Sequence, residues 1–147
     1  MNTKTYDIAV GAGQPTGSGE PSRNLRRWWG VIATLIVAAI FIEAVFAGAM
    51  LSGAGWARKA HAAGALALIV ATLAAGFIST VTLRRIPHGL RLGLTLIALA
   101  AVVFVQTALG RGAAHGANLL WLHVPLGVAL VGFAAQAVAS ARRLGGA

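Results

Sequence analysis

Among the polar side chains within the long apolar runs of this sequence, four are candidates for a functional site. Two are histidines, His61 and His123, and the other two are Glu43 and Gln106. Ionisable groups inside an apolar, membrane-like segment are costly and tend to be functional. A neutral imidazole bonds to iron through one ring nitrogen. Two such rings on different helices at one depth are what a cofactor held between helices would require.

The apolar runs themselves predict the elements that carry these side chains. They cover residues 28–51, 59–83, 92–110 and 118–141. Each is long enough to cross a hydrocarbon core of ~30 Å as a helix, and none alternates with the period of two that marks a membrane strand. The short connections place consecutive helices side by side and antiparallel. We therefore expect an all-α integral membrane protein, a four-helix up-down bundle that follows a disordered polar N-terminal tail over residues 1–27.

Composition and charge agree with a membrane protein and exclude several other classes. Only 10% of the residues are charged, against ~25% in soluble domains. The absence of cysteine excludes disulfides, thiolate metal sites and haem attached through Cys-x-x-Cys-His. The net charge of +9 would suggest nucleic acid as a partner, but the positions of the basic residues give it another explanation.

Nine of the twelve Lys and Arg residues fall on one side of the predicted bundle. They lie in the tail, in the connection between the second and third helices, and at the C-terminus, whereas only Arg58, Lys59 and Arg111 lie on the other side. The positive-inside rule then predicts that both termini are cytoplasmic in a bacterial cytoplasmic membrane. The lipid bilayer, not nucleic acid, is the expected partner. Trp28 and Trp29 at the inner boundary fit an interfacial aromatic belt, as does Trp56 at the outer one.

In this topology the four polar side chains share one half of the membrane. His61 lies about one turn from the outer surface, His123 one to two turns, Gln106 about one turn and Glu43 about two turns. One residue comes from each helix, so the outer half of the bundle interior is the predicted site. The matched pair of histidines predicts two axial ligands of a haem iron, with Glu43 and Gln106 beside it. His88 and His115 fall in connections and are assigned no role.

Small and basic residues complete the expected site. Gly64 and Gly127 follow the two histidines by about one helical turn, which would leave clearance for the edge of a porphyrin. Arg58 and Arg111 stand at the outer mouth, where they would pair with the haem propionates.

The two halves of the chain follow a similar order of residue types. Each runs from a polar residue through small residues and an arginine to a histidine, with Glu43 preceding His61 by 18 residues and Gln106 preceding His123 by 17. The segments ARKAHAAG and LLWLHVPLG carry a resemblance over residues 28–141 to one four-helix half of haem A synthase, an eight-helix family. The chain is also similar to small uncharacterised bacterial four-helix proteins with the same pattern. The resemblance implies that His61 and His123 are an axial pair.

Three functions are compatible with these features. The first is a membrane protein that binds haem b through two histidines and acts in electron transfer or haem handling. The second is a cofactor-free accessory subunit or assembly factor, whose polar residues only fix helix packing. The third is a haem-modifying enzyme, acting alone or as a homodimer or larger membrane complex, with Glu43 as the candidate acid. Because two axial histidines leave no open iron site, catalysis is not the default expectation.

Overall fold

The computed structural model describes residues 23–144 and contains four α-helices. They are α1 (Arg23–Leu51), α2 (Gly55–Thr82), α3 (Gly89–Ala114) and α4 (Leu120–Arg142). Each is long and apolar enough to cross a membrane. Within lipid a helix satisfies its own backbone N–H and C=O groups, so a long apolar segment crosses the membrane as a helix. The prediction of an all-α membrane bundle is confirmed.

The first three helices extend further than their apolar runs. α1 begins at Arg23 instead of Trp28, so the last five residues of the predicted tail are helical. Residues 1–22, where the rest of that predicted disorder falls, lie outside the described residues. α2 begins four residues before Lys59, and α3 extends beyond 92–110 at both ends. Arginine, leucine and alanine are good helix formers, so a helix continues past the point where the apolar run stops.

Short connections leave the bundle with two different ends. Residues 52–54 and 115–119 join α1 to α2 and α3 to α4 at one end, which we call the histidine end. Gly53 and Gly116 in these connections have positive φ values of 89° and 94°, a conformation that favours glycine. The helix termini at Arg23 and Arg142 lie at the opposite end together with the 83–88 connection; we call it the termini end.

The helices form a ring in which each packs against two neighbours. Over residues 23–144, α1 contacts α2 and α4, and α3 contacts α2 and α4, whereas the diagonal pairs α1–α3 and α2–α4 make no close backbone contact. A Cβ on Gly76 would lie 2.9 Å from the Ile97 nitrogen, and one on Gly93 would lie 2.9 Å from the Thr80 nitrogen. Glycine therefore permits the close approach of α2 and α3, as small residues do in membrane bundles.

The buried core is concentrated at the termini end and mid-bundle. On α1 the last fully buried residue is Ile40, and on α4 the first is Leu130. Among the described residues closer to the histidine end than the core, Ala57 alone is fully buried. The histidine end therefore has fewer buried side chains than the rest of the bundle.

The tryptophans divide between lipid-facing and core positions. Trp28 and Trp56 are exposed, in keeping with an interfacial position. The prediction for Trp29 is wrong, because its side chain is only 5% exposed and belongs to the core cluster with Ala33 and Ile36. Adjacent residues on a helix point in directions about 100° apart, and in α1 this step turns Trp29 towards the core while Trp28 faces outwards.

Candidate functional site

The first polar pair joins α1 and α2 at the histidine end. Glu43 Oε2 and His61 Nδ1 lie 2.7 Å apart, and the two side chains are 12% and 24% exposed. The contact has ion-pair distance but lacks hydrogen-bond geometry, so both atoms are buried without a hydrogen-bond partner. His61 therefore turns its Nδ1 edge towards the preceding helix.

The second polar pair joins α3 and α4 by two reciprocal contacts. Gln106 Nε2 donates a hydrogen bond of 2.7 Å to the backbone carbonyl of His123. His123 Nδ1 lies 3.0 Å from the backbone carbonyl of Gln106, where the protonated nitrogen donates. These bonds hold the His123 ring against α3 and fix Nδ1 as the protonated nitrogen. Nε2 is then the nitrogen with a lone pair for a metal.

The two pairs are similar in the two halves of the bundle, but His61 Nδ1 faces the Glu43 carboxyl group, whereas His123 Nδ1 faces the Gln106 backbone carbonyl. In each half a histidine on the second helix directs Nδ1 at the polar residue that precedes it by 17 or 18 positions. The histidines stand on α2 and α4, which are diagonal in the ring. The internal repeat predicted from the sequence therefore has a structural counterpart in these paired contacts.

Three glycines make room for the polar side chains. A Cβ on Gly64 would overlap Glu43 Oε1, and a Cβ on Gly127 would lie 2.9 Å from Gln106 Nε2. The space beside these two glycines, predicted as clearance for a porphyrin edge, is therefore taken by the Glu43 and Gln106 side chains. Gly110 was not identified from the sequence: a Cβ there would lie 2.8 Å from His123 Cε1. Its position four residues after Gln106, on the same helix face, was the available signal.

Unsatisfied polar atoms are concentrated in this region. Within residues 23–144, the buried side-chain atoms that lack a hydrogen-bond partner are Glu43 Oε2, His61 Nδ1, Gln106 Oε1 and the Thr72 hydroxyl. Three of these four belong to the two polar pairs. Two of them, Glu43 Oε2 and His61 Nδ1, lie 2.7 Å apart, so a small reorientation would let them bond to each other. Gln106 Oε1 is then the atom of the two pairs that a further polar group would have to satisfy.

The remaining candidate residues lie around the site and not in it. Arg58 and Arg111 are exposed at the histidine end, where the sequence placed them. His115 Nδ1 lies 2.7 Å from the Arg111 backbone carbonyl, so this histidine caps the end of α3. His88 has a φ of 63° at the start of α3 on the termini end, far from the polar pairs.

The donor set fits a haem better than a bare metal ion. No group of three or more His, Cys, Asp or Glu residues able to hold a metal occurs in the described part of the chain. A porphyrin supplies its own four nitrogens, so two imidazoles complete its iron. Both rings have Nδ1 turned to a neighbouring helix, as histidine ligands of metals commonly do.

Comparison of the chain with protein-family models, with curated proteins and with solved structures found no match. The assignment of function therefore depends on the geometry of the two polar pairs.

Proposed function

We propose that this chain is a membrane protein that binds haem b at the histidine end, with His61 and His123 as the two axial ligands. The observation that carries the proposal is the matched pair of imidazoles on diagonal helices. In both, Nδ1 faces the preceding helix and Nε2 is the nitrogen left for iron. Haem b is the type proposed because the chain has no cysteine for covalent attachment.

The neighbouring residues orient the two ligands. The Gln106 side chain donates a hydrogen bond to the His123 backbone carbonyl, and His123 Nδ1 donates one to the Gln106 backbone carbonyl. Glu43 Oε2 lies 2.7 Å from His61 Nδ1. Such partners fix the tautomer and the orientation of a ligand ring, and losing one typically weakens metal affinity 10- to 100-fold. Arg58 and Arg111, exposed at the same end, are the side chains that would pair with propionates.

A haem with two axial imidazoles supplies one-electron transfer, because no iron position is left for oxygen or substrate. Electron transfer or haem handling is therefore the proposed role. The sequence resemblance of residues 28–141 to one half of haem A synthase implies the same kind of site, and the comparisons with known proteins do not add to it. It also keeps a haem-modifying activity as the alternative if an axial position proves to be open.

Absorbance spectra and haem quantitation of the detergent-purified protein test the proposal. Expressed with ample haem, the wild type should carry one low-spin haem per chain, and His61→Ala and His123→Ala should each lose it. His115→Ala is the matched control, because this histidine lies at the same end and bonds only its own helix. A folded wild-type protein that purifies without haem would contradict the proposal and favour the cofactor-free accessory subunit.

We also propose that the termini end faces the cytoplasm. Among the described residues, eight arginines lie at that end and only Arg58, Lys59 and Arg111 at the other. A reporter that is active only outside the cytoplasm should be silent when fused after Ala147, and active when inserted in the 115–119 connection. The reverse result would contradict this orientation and place the two histidines near the inner face.

A further inference from the structure

A groove between α1 and α4 opens at the termini end. It encloses about 300 Å³ and is lined by apolar side chains that include Val31, Leu35 and Val138. Gly30 lies in its wall, and a Cβ there would meet nothing within 4 Å. The Thr34 hydroxyl, also in the wall, donates to the Gly30 carbonyl, which leaves the groove surface apolar. Such a groove has the character of an acyl-chain site.

Two arginines stand at the polar end of the same groove. Arg27 and Arg142 line it together, one from each helix, and both are exposed. The single acidic side chain in residues 23–144 is Glu43, at the opposite end of the bundle. The positive charge here is therefore not balanced by a carboxylate of the described chain. A guanidinium group matches the geometry of a phosphate, so two arginines lining one groove favour a phosphate as its polar ligand.

We propose that this groove binds an anionic phospholipid, with its phosphodiester on Arg27 and Arg142 and one acyl chain along Gly30, Leu35 and Val138. Basic pockets between transmembrane helices are suited to such head groups. A zwitterionic lipid fits less well, because its own ammonium group would stand beside arginines that no carboxylate within residues 23–144 balances.

The groove between α3 and α4 gives an internal comparison. It is larger, at about 470 Å³, but Arg91 is the one charged residue in its lining. Both grooves are apolar, but the α1–α4 groove has two arginines and the α3–α4 groove has one. Charge complementarity to an anionic head group therefore favours the α1–α4 groove as the lipid site.

Native mass spectrometry of the detergent-purified full chain tests the head-group contact. The probes are phosphatidylglycerol and phosphatidylcholine with identical acyl chains. Phosphatidylglycerol should bind the wild type more tightly. Replacing both arginines (Arg27→Gln with Arg142→Gln) should weaken it about fivefold per arginine, which is the ~1 kcal/mol per basic residue at a membrane surface converted at 1.4 kcal/mol per tenfold.

Arg84→Gln with Arg85→Gln is the matched control, because it removes the same charge at the same end from the α2–α3 connection. This control should keep the wild-type preference. Equal binding of the two lipids by the wild type, or equal losses in the two double variants, would overturn the proposal.

A second pair of variants tests the acyl-chain contact without disturbing the protein core. Gly30→Leu should fill the groove and lower phosphatidylglycerol binding, whereas Gly48→Leu, equally open on the same helix but at the other end, should not. Unchanged lipid binding in a folded Gly30→Leu protein would show that the groove does not hold the chain.

Discussion

A single methyl group at Gly64 should disrupt the first polar pair. A Cβ at this position would overlap Glu43 Oε1 and lie 2.8 Å from Glu43 Cδ. The helix backbone cannot yield easily, because it is held by its own hydrogen bonds, so the carboxyl group must move. In moving, it leaves the position 2.7 Å from His61 Nδ1. Gly64→Ala therefore tests the Glu43–His61 contact without replacing either of the two residues.

The expected cost combines two effects. A side chain forced about 30° from its rotamer costs about 0.5–1.5 kcal/mol. A polar contact between membrane helices contributes about 0.6 kcal/mol on average and about 1.7 at most. Gly64→Ala should thus lower the free energy of unfolding by about 1–3 kcal/mol relative to a glycine-to-alanine change in open space. Gly48→Ala is that reference, since its Cβ would meet nothing within 4 Å.

Unfolding in mixed detergent micelles, followed by circular dichroism, measures this difference. In a Glu43→Ala background the overlap is absent, so Gly64→Ala should become nearly neutral, and the double-mutant cycle should give a coupling of about 1–3 kcal/mol. The reasoning is refuted if Gly64→Ala is as stable as Gly48→Ala, or if its cost is the same with and without the Glu43 carboxyl group.

Three further predictions concern the second pair and the outlying histidines. Gln106→Leu should lower the free energy of unfolding by about 0.6 kcal/mol, and by no more than about 1.7, through loss of the bond to the His123 carbonyl; unchanged stability in the same micelle assay would contradict it. Gly110→Ala should displace the His123 ring and weaken haem binding in a titration, because its Cβ would lie 2.8 Å from Cε1; wild-type affinity would argue against that packing. His88→Ala and His115→Ala should both keep the haem spectrum, and loss of haem in either variant would mean that the axial pair is misassigned.

The number of helices and their order were predictable from the sequence, because each apolar run is long enough to span a membrane. The residues at which the helices begin and end were harder to predict. The arginines at positions 23, 26 and 27 lower the hydropathy but do not prevent helix formation, so α1 begins before its apolar run. Nearly uniform apolar character also hides which face of a helix turns inward. For that reason the burial of Trp29 depends on packing against the other helices, which periodicity does not reveal.

The sequence predicted which end of the bundle carries the polar pairs, but it did not predict which atoms of these residues meet. Spacing along antiparallel helices placed Glu43 with His61 and Gln106 with His123 at similar levels. Whether Gly64 and Gly127 leave room for a ligand or for a neighbouring side chain depends on how the helices are rotated about their axes. The structure gives that room to Glu43 and Gln106, a result that residue spacing alone could not distinguish.

Electron-nuclear double resonance on the oxidised, purified protein tests the axial pair most directly. The sample is expressed with ¹⁵N-labelled histidine, and its spectrum reports the nitrogens bonded to a low-spin ferric haem. We expect both axial nitrogens to carry the label, and we expect one label to disappear when either His61 or His123 is replaced and imidazole is supplied to fill the gap. A protein without haem, or one whose axial nitrogens do not change in these variants, would contradict the account.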